Sequence, residues 1–202
     1  MATKNKVSES LEELIKAESI RSDILREVKE ELARSKIIVE LGDNDTVLRI
    51  PESSLTFNTN KYQIPGDINL RERVATIGRV FSAVIRKQDR WQYLDTIFVE
   101  GHTDIRRSNK HMGNWGLSTF RAASVWLFWE DTLQDDEKLS AIRNHSNDLL
   151  FSVSGYGSTR PAQKVQVTEE ELRINRRIDL RITVKRPKSE DIKKILNEFN
   201  QG

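Results

Sequence analysis

The chain contains no cysteine, which excludes disulfides, thiolate metal sites and cysteine nucleophiles. An oxidising compartment suits such a sequence at least as well as the cytosol does. Long apolar runs are also missing. The longest, Val125 to Trp129, falls far short of the ~20 residues that cross a bilayer. The N-terminal stretch MATKNKVSESLEELIK lacks the apolar centre of a secretory signal. As given, the sequence reads as a soluble chain without an export address. Either it works in the cytosol, or a targeting or anchoring segment lies outside it. Charge of one sign is not in excess either: 33 Lys and Arg oppose 31 Asp and Glu, a formal net charge of +2. That balance argues against a nucleic-acid-binding protein. Of the 202 residues 37% are hydrophobic, enough for a packed core rather than disorder.

The first segment, residues 1–35, reads as a long, charged helix from Ser8 or so to Ser35. Its broken apolar stripe of Leu11, Leu14, Ile15, Ile24, Leu25, Val28 and Leu32 suits either a helix packed on its own domain or a linker or dimerising stalk. Two short strands follow, Lys36–Leu41 and Thr46–Ile50, joined by the turn residues GDND, and Pro51 ends the second. Leu70, Val74, Ile77, Phe81 and Val84 or Ile85 recur at helical spacing behind Asp67, a suitable N-cap. A strand at Asp95–Glu100 runs into GHTD. A helix spans about Ser118 to Leu133, with Trp126 and Trp129 as core and rim, and a strand at Leu149–Ser154 stops at GYG. In the last strand Ile178, Leu180, Ile182 and Val184 alternate with Asp179, Arg181 and Thr183, giving one buried and one wet face. A C-terminal helix is expected over Glu190–Phe199 within residues 188–202. Strands alternating with helices give an α+β or α/β architecture, α+β being expected, with one mixed sheet and the helices on one face, occupying residues 36–187 behind the long N-terminal helix.

Four pieces combine polar groups with bends in the backbone. They are Gly101-His102-Thr103-Asp104, then Asn114-x-x-Leu117-Ser118-x-x-Arg121-Ala122, then Gly155-Tyr156-Gly157 with Pro161, and finally Asn175-Arg176-Arg177-Ile178-Asp179. Chemically, a carboxylate such as Asp104 answers an ammonium and a guanidinium such as Arg121 answers a carboxylate, so together they suit a zwitterionic ligand end. A helix beginning at Ser118 would put Arg121 in its first turn, among free backbone N–H groups. An ordinary ion pair tying a loop to a helix is the bland alternative. His102, His111 and His145 lack metal-ligand spacing, so no metal is expected. No Gly-x-Ser-x-Gly elbow marks a nucleophile, and no catalysis or cofactor is expected.

In this order the four pieces resemble the OmpA-like C-terminal domain, a peptidoglycan-binding module, over about Leu55 to Val184. The resemblance implies a β-α-β-α-β sandwich. It also implies that Asp104 and Arg121 clasp the diaminopimelate of a stem peptide, and that Thr103, Asn114, Arg176 and Arg177 belong to the same ligand site. The charged helix and hairpin ahead of the domain resemble the MotB type of stator subunit and the related ZorB component of Zorya anti-phage systems. That likeness implies a periplasmic wall anchor for an inner-membrane motor-type complex, working as a homodimer. An ion-channel partner subunit would be met through an N-terminal transmembrane helix absent from this sequence. The alternative is a cytosolic interaction module that kept the fold and lost the ligand. The segment between Asp104 and Arg121 is longer than the family pattern. Its Arg106 and Arg107 are expected to matter little for binding.

Overall fold

The computed structural model describes residues 2–186 together with Lys193 and Asn197. Apart from those two positions, the helix expected over Glu190–Phe199 lies outside the described residues. The order is α1 (Ala2–Arg34), β1 (Glu40–Gly42), β2 (Val47–Ile50), α2 (Ile68–Arg86), β3 (Leu94–Gly101), α3 (Gly113–Thr132), β4 (Phe151–Gly155), α4 (Glu169–Asn175) and β5 (Ile178–Val184), with short 3-10 turns at Lys87–Tyr93 and Leu139–Ala141. The five strands form one mixed sheet in the order β1-β2-β5-β3-β4. Only β3 and β4 are parallel. The last strand is therefore central, its first residue Ile178 facing Ile50 on one side and Gly101 on the other.

Helix α1 ends with Lys36 in the left-handed region, where Ile37 N–H donates to the Leu32 carbonyl and Lys36 N–H to that of Ala33. This Schellman-type closure uses up the residues expected to begin β1. Pairing starts only at Glu40, and the strand is shorter than Lys36–Leu41. Asp43, Asn44 and Asp45 all take positive φ in the hairpin turn, which short polar side chains tolerate best. Asp67 caps α2 as its sequence implies, accepting from Leu70 N–H at 2.7 Å.

Helix α3 begins at Gly113, not near Ser118. Gly113 and Gly116 are poor helix formers by propensity, but here they serve a sharp entry. Met112 and Gly113 have positive φ, and a Cβ on Gly116 would meet the His111 carbonyl oxygen at 2.0 Å. Arg121 consequently lies well inside the helix, away from its free N–H groups. Helix α4 went unread in the sequence although Thr168 and Glu171 form a capping box there.

One core joins α1, α2, α3 and the sheet. The apolar stripe of α1 is divided: Ile24, Leu25, Val28 and Leu32 are fully buried in that core, whereas Leu11 and Ile15 are exposed. Trp129 is fully buried and its indole N–H donates to the Val74 carbonyl at 2.8 Å, tying α3 to α2. The outer face of β5 is not wet throughout, because Asp179 is buried there opposite the buried Glu100 of β3.

Two glycines set how closely α3 lies on the strand ends. A Cβ on Gly101 would stand 1.9 Å from the Ser118 carbonyl oxygen, and one on Gly155 would stand 2.2 Å from Thr119 Oγ1. The Ser118 hydroxyl in turn accepts from Gly157 N–H at 2.9 Å. Because the atom opposing Gly101 is backbone, no side chain can yield to an added methyl. Gly101→Ala is expected to lower stability by about 1–3 kcal/mol, read as a shift of the urea midpoint. Gly66→Ala, where a Cβ meets nothing within 4 Å, should leave it near wild type.

Candidate functional site

The four sequence pieces meet at one edge of the sheet, where backbone hydrogen bonds tie three of them directly. His102 N–H donates to the Arg177 carbonyl at 3.1 Å, Thr103 N–H to Gly157 at 2.9 Å, and Tyr156 N–H to Gly101 at 3.0 Å. The fourth piece, on α3, closes over them through Ser118. Beside this junction is a cavity of about 380 Å³. Thr103, Asp104, Asn114, Arg121 and Arg176 all line it, and Arg177 does not.

Asp104 is only 4% exposed. Its Oδ1 accepts the Arg106 backbone N–H at 2.9 Å. Its Oδ2 accepts Arg106 Nη2 at 2.6 Å, Arg106 Nε at 3.1 Å and Arg176 Nη1 at 2.8 Å. Burial alone would raise its pKa, but the hydrogen bonds from the two guanidiniums outweigh it and hold the carboxyl below its ordinary value. Arg176 forks onto Glu52, with Nε to Oε1 at 2.6 Å and Nη2 to Oε2 at 2.7 Å, and also reaches Glu169 at 2.7 Å.

Arg121 has a different environment. It is 6% exposed, and its hydrogen bonds go to carbonyls, from Nε to Lys61 at 2.9 Å and from Nη2 to Asn58 at 3.3 Å. The Phe57 ring lies 4.9 Å from its guanidinium carbon. No carboxylate among the described residues pairs with it, Asp104 included. Burial pushes its pKa down to about 10, so it remains a cation at neutral pH.

Asn114 spends its amide on the loop, accepting from Ser108 N–H and donating to the carbonyls of Asp104 and Arg106. The Thr103 hydroxyl is buried without a hydrogen-bond partner. Arg177 forms a buried pair with Asp179 at 3.0 Å and donates to the Arg160 carbonyl.

Sequence reasoning missed Glu52, Glu169 and the part played by Arg106. Glu52 comes beside Arg176 because β2 pairs antiparallel with β5, Ile50 facing Ile178, a long-range pairing that no local pattern in the sequence marks. The capping box places Glu169 in the first turn of α4 but does not by itself bring it to Arg176.

Glu100, His102 and Asp179 are the described residues whose donor atoms could converge on a metal ion, within 4.8 Å of one another. Both carboxylates already hold guanidiniums, however: Arg181 sits on Glu100, and Arg177 and Arg49 sit on Asp179. A divalent cation would add charge to a cluster already neutralised by arginine, so the donor set reads as a buried ion network.

No family model matches this sequence, and no curated protein sequence is a significant match. Solved structures do match. The periplasmic domain of Helicobacter pylori MotB is 22% identical with a TM-score of 0.56, over 81% of this chain and 93% of that one. A putative MotB-like protein from Desulfovibrio vulgaris is 14% identical with a TM-score of 0.58, over 87% and 99%. The cell wall anchor of the type VI secretion system from Pseudomonas aeruginosa is 20% identical with a TM-score of 0.50, over 80% and 97%. The fold of this chain is thus that of MotB-type periplasmic domains.

His102 is 2% exposed, stacked on Tyr156 and faced by Glu100, Asp179 and Arg177. Burial, reinforced by Arg177, holds its pKa below the ordinary 6.5 against the pull of the two carboxylates. The folded protein therefore favours the neutral ring. The unfolded chain takes up its proton first as the pH falls, so this contribution is complete above pH 6.5 and is lost below it. Glu100 and Asp104 are held below their ordinary values and act only at lower pH. The denaturation midpoint should fall between pH 7 and pH 5, and His102→Gln should flatten that slope.

Proposed function

We propose that the chain is a non-catalytic peptidoglycan anchor whose cavity binds the zwitterionic end of diaminopimelate in stem peptides. The observation that carries this reading is Arg121: a buried guanidinium in a cavity shared with Asp104, yet bonded only to carbonyls. A ligand carboxylate supplies the neutralising charge that the protein withholds, and an ammonium meets Asp104. The unpartnered Thr103 hydroxyl offers one more hydrogen bond, and Asn114 fixes the loop between the two charges. Binding rather than catalysis is supported by the lining, where no histidine occurs and Glu52, Asp104 and Glu169 are all engaged by guanidiniums. No carboxylate is left poised as a base.

The structural likeness to MotB periplasmic domains and to a cell wall anchor supports the same reading. In it the domain is periplasmic and belongs to an inner-membrane motor-type complex. No helix of the described residues is long and apolar enough to cross a membrane; in this reading the contact with an ion-channel partner subunit belongs to a transmembrane helix that the described residues do not include. Pairing of two copies is assigned to the exposed end of α1 around Leu11 and Ile15.

Co-sedimentation with purified peptidoglycan tests the assignment. Wild type should pellet with it, and free meso-diaminopimelate should compete. Asp104→Asn and Arg121→Ala each leave one ligand charge unpaired, at a cost of about 2–5 kcal/mol, roughly thirty-fold or more in affinity. Circular dichroism checks that both remain folded. A wild-type protein that stays in the supernatant at low salt, or an Arg121→Ala variant that pellets as well as wild type, overturns the proposal.

A further inference from the structure

Two arginines meet at Asp104 Oδ2, and the structure holds them very differently. Arg176 is 14% exposed and is anchored elsewhere by its two-pronged fork on Glu52 and by Glu169. Arg106 is 55% exposed. Its Nε and Nη2 converge on the single oxygen Oδ2 instead of spanning both carboxylate oxygens, and its Nη1 reaches Glu169 at 3.1 Å. A guanidinium that lands on one oxygen forgoes the parallel pair of bonds that makes arginine–carboxylate contacts strong, and a half-exposed pair is screened by water.

The backbone around Arg106 is fixed independently of its side chain. Ile105 N–H donates to Gln166 Oε1 at 3.1 Å, and the Arg106 carbonyl accepts from Asn114 Nδ2 at 3.0 Å. The Arg106 backbone N–H itself stays on Asp104 Oδ1. The side chain can leave by rotation alone, with the loop backbone and Arg176 held in place.

We infer that Arg106 is a displaceable occupant of the cation subsite, whose displacement every cation-bearing ligand must offset. A ligand must bring a cation able to replace the guanidinium on Asp104, together with a carboxylate for Arg121. A ligand with a carboxylate alone leaves Arg106 in place. A ligand with a cation alone must expel Arg106 without gaining Arg121. The loop arginine, expected from the sequence to matter little, thus becomes a competitor of the ligand cation for Asp104. The inference rests on reading the cavity as a site for a zwitterion.

Calorimetric titration with three probes separates the possibilities: meso-diaminopimelate carries both charges, lysinamide cations only, and pimelate carboxylates only. Arg106→Ala should bind diaminopimelate and lysinamide about two- to fivefold more tightly than wild type, the scale of an exposed ion pair, and pimelate no more tightly. Arg107→Ala removes the same charge from the cavity wall without disturbing an ion pair to Asp104, and should tighten neither. Equal tightening by Arg107→Ala reduces the effect to net charge and overturns the inference. So does wild-type binding of diaminopimelate that Arg106→Ala leaves unchanged or weakens, while the peptidoglycan reading stands. If wild type ignores peptidoglycan but Arg106→Ala takes up lysinamide, the occupant is real and the peptidoglycan reading fails. If neither protein binds any probe, both fail.

Discussion

The approach of α3 to the ends of β3 and β4 is the contact on which the candidate site depends. It is possible only because Gly101 and Gly155 present no side chain to the helix backbone. With α3 seated there, Ser118 reaches Gly157, Asn114 reaches the loop after Asp104, and Arg121 stands over the same cavity as Asp104. Close packing of this kind leaves few alternative arrangements. The distance between the two charges is therefore set by backbone contact and not by their attraction, since they form no ion pair with each other.

A second constraint comes from β5. Its entry separates two neighbouring arginines, Arg176 into the cavity and Arg177 into the buried network with Asp179. In that network Glu100 and Asp179 are register partners on adjacent strands, a placement that like charges disfavour. Arg181, Arg177 and Arg49 neutralise them. Buried pairs of this sort contribute little net stability against an apolar alternative, yet breaking one is costly. Their evident consequence here is to hold GHTD and NRR side by side in a single register.

Much of this was legible beforehand. Strict alternation in β5, the Asp67 cap and the i, i+4, i+7 spacing of α2 are local signals, and each element formed where its pattern implies, although the outer face of β5 buries Asp179. What sequence could not convey was where neighbouring segments compete. The start of β1 was lost to the closure of α1 at Lys36. The start of α3 was hidden because Gly113 and Gly116 score against a helix while serving a tight entry. For the site, the four pieces and the family resemblance they carry singled out Asp104, Arg121, Thr103, Asn114 and Arg176, and all five line one cavity. The partners of those residues were not readable, because Glu52, Arg106 and Glu169 come from a strand exit, a loop and a short helix whose juxtaposition exists only in three dimensions. Arg177 carries the same side chain as Arg176, and only the path of the backbone tells their roles apart.

The charges of the cavity are left asymmetric. Every carboxylate in it has at least one guanidinium, and Arg176 serves three of them at once. Arg121, the most deeply buried cation of the lining, has none. Carbonyl hydrogen bonds and the Phe57 ring offset part of its desolvation, but its depressed pKa shows that burial still dominates. A fold stabilised only by its own contacts gains nothing from holding a guanidinium this way, because an apolar side chain would fill the space without losing hydration. The unneutralised charge makes sense when the missing anion arrives from outside. In the proposed function the ligand supplies the carboxylate that Arg121 lacks, and that carboxylate is the feature the site would recognise.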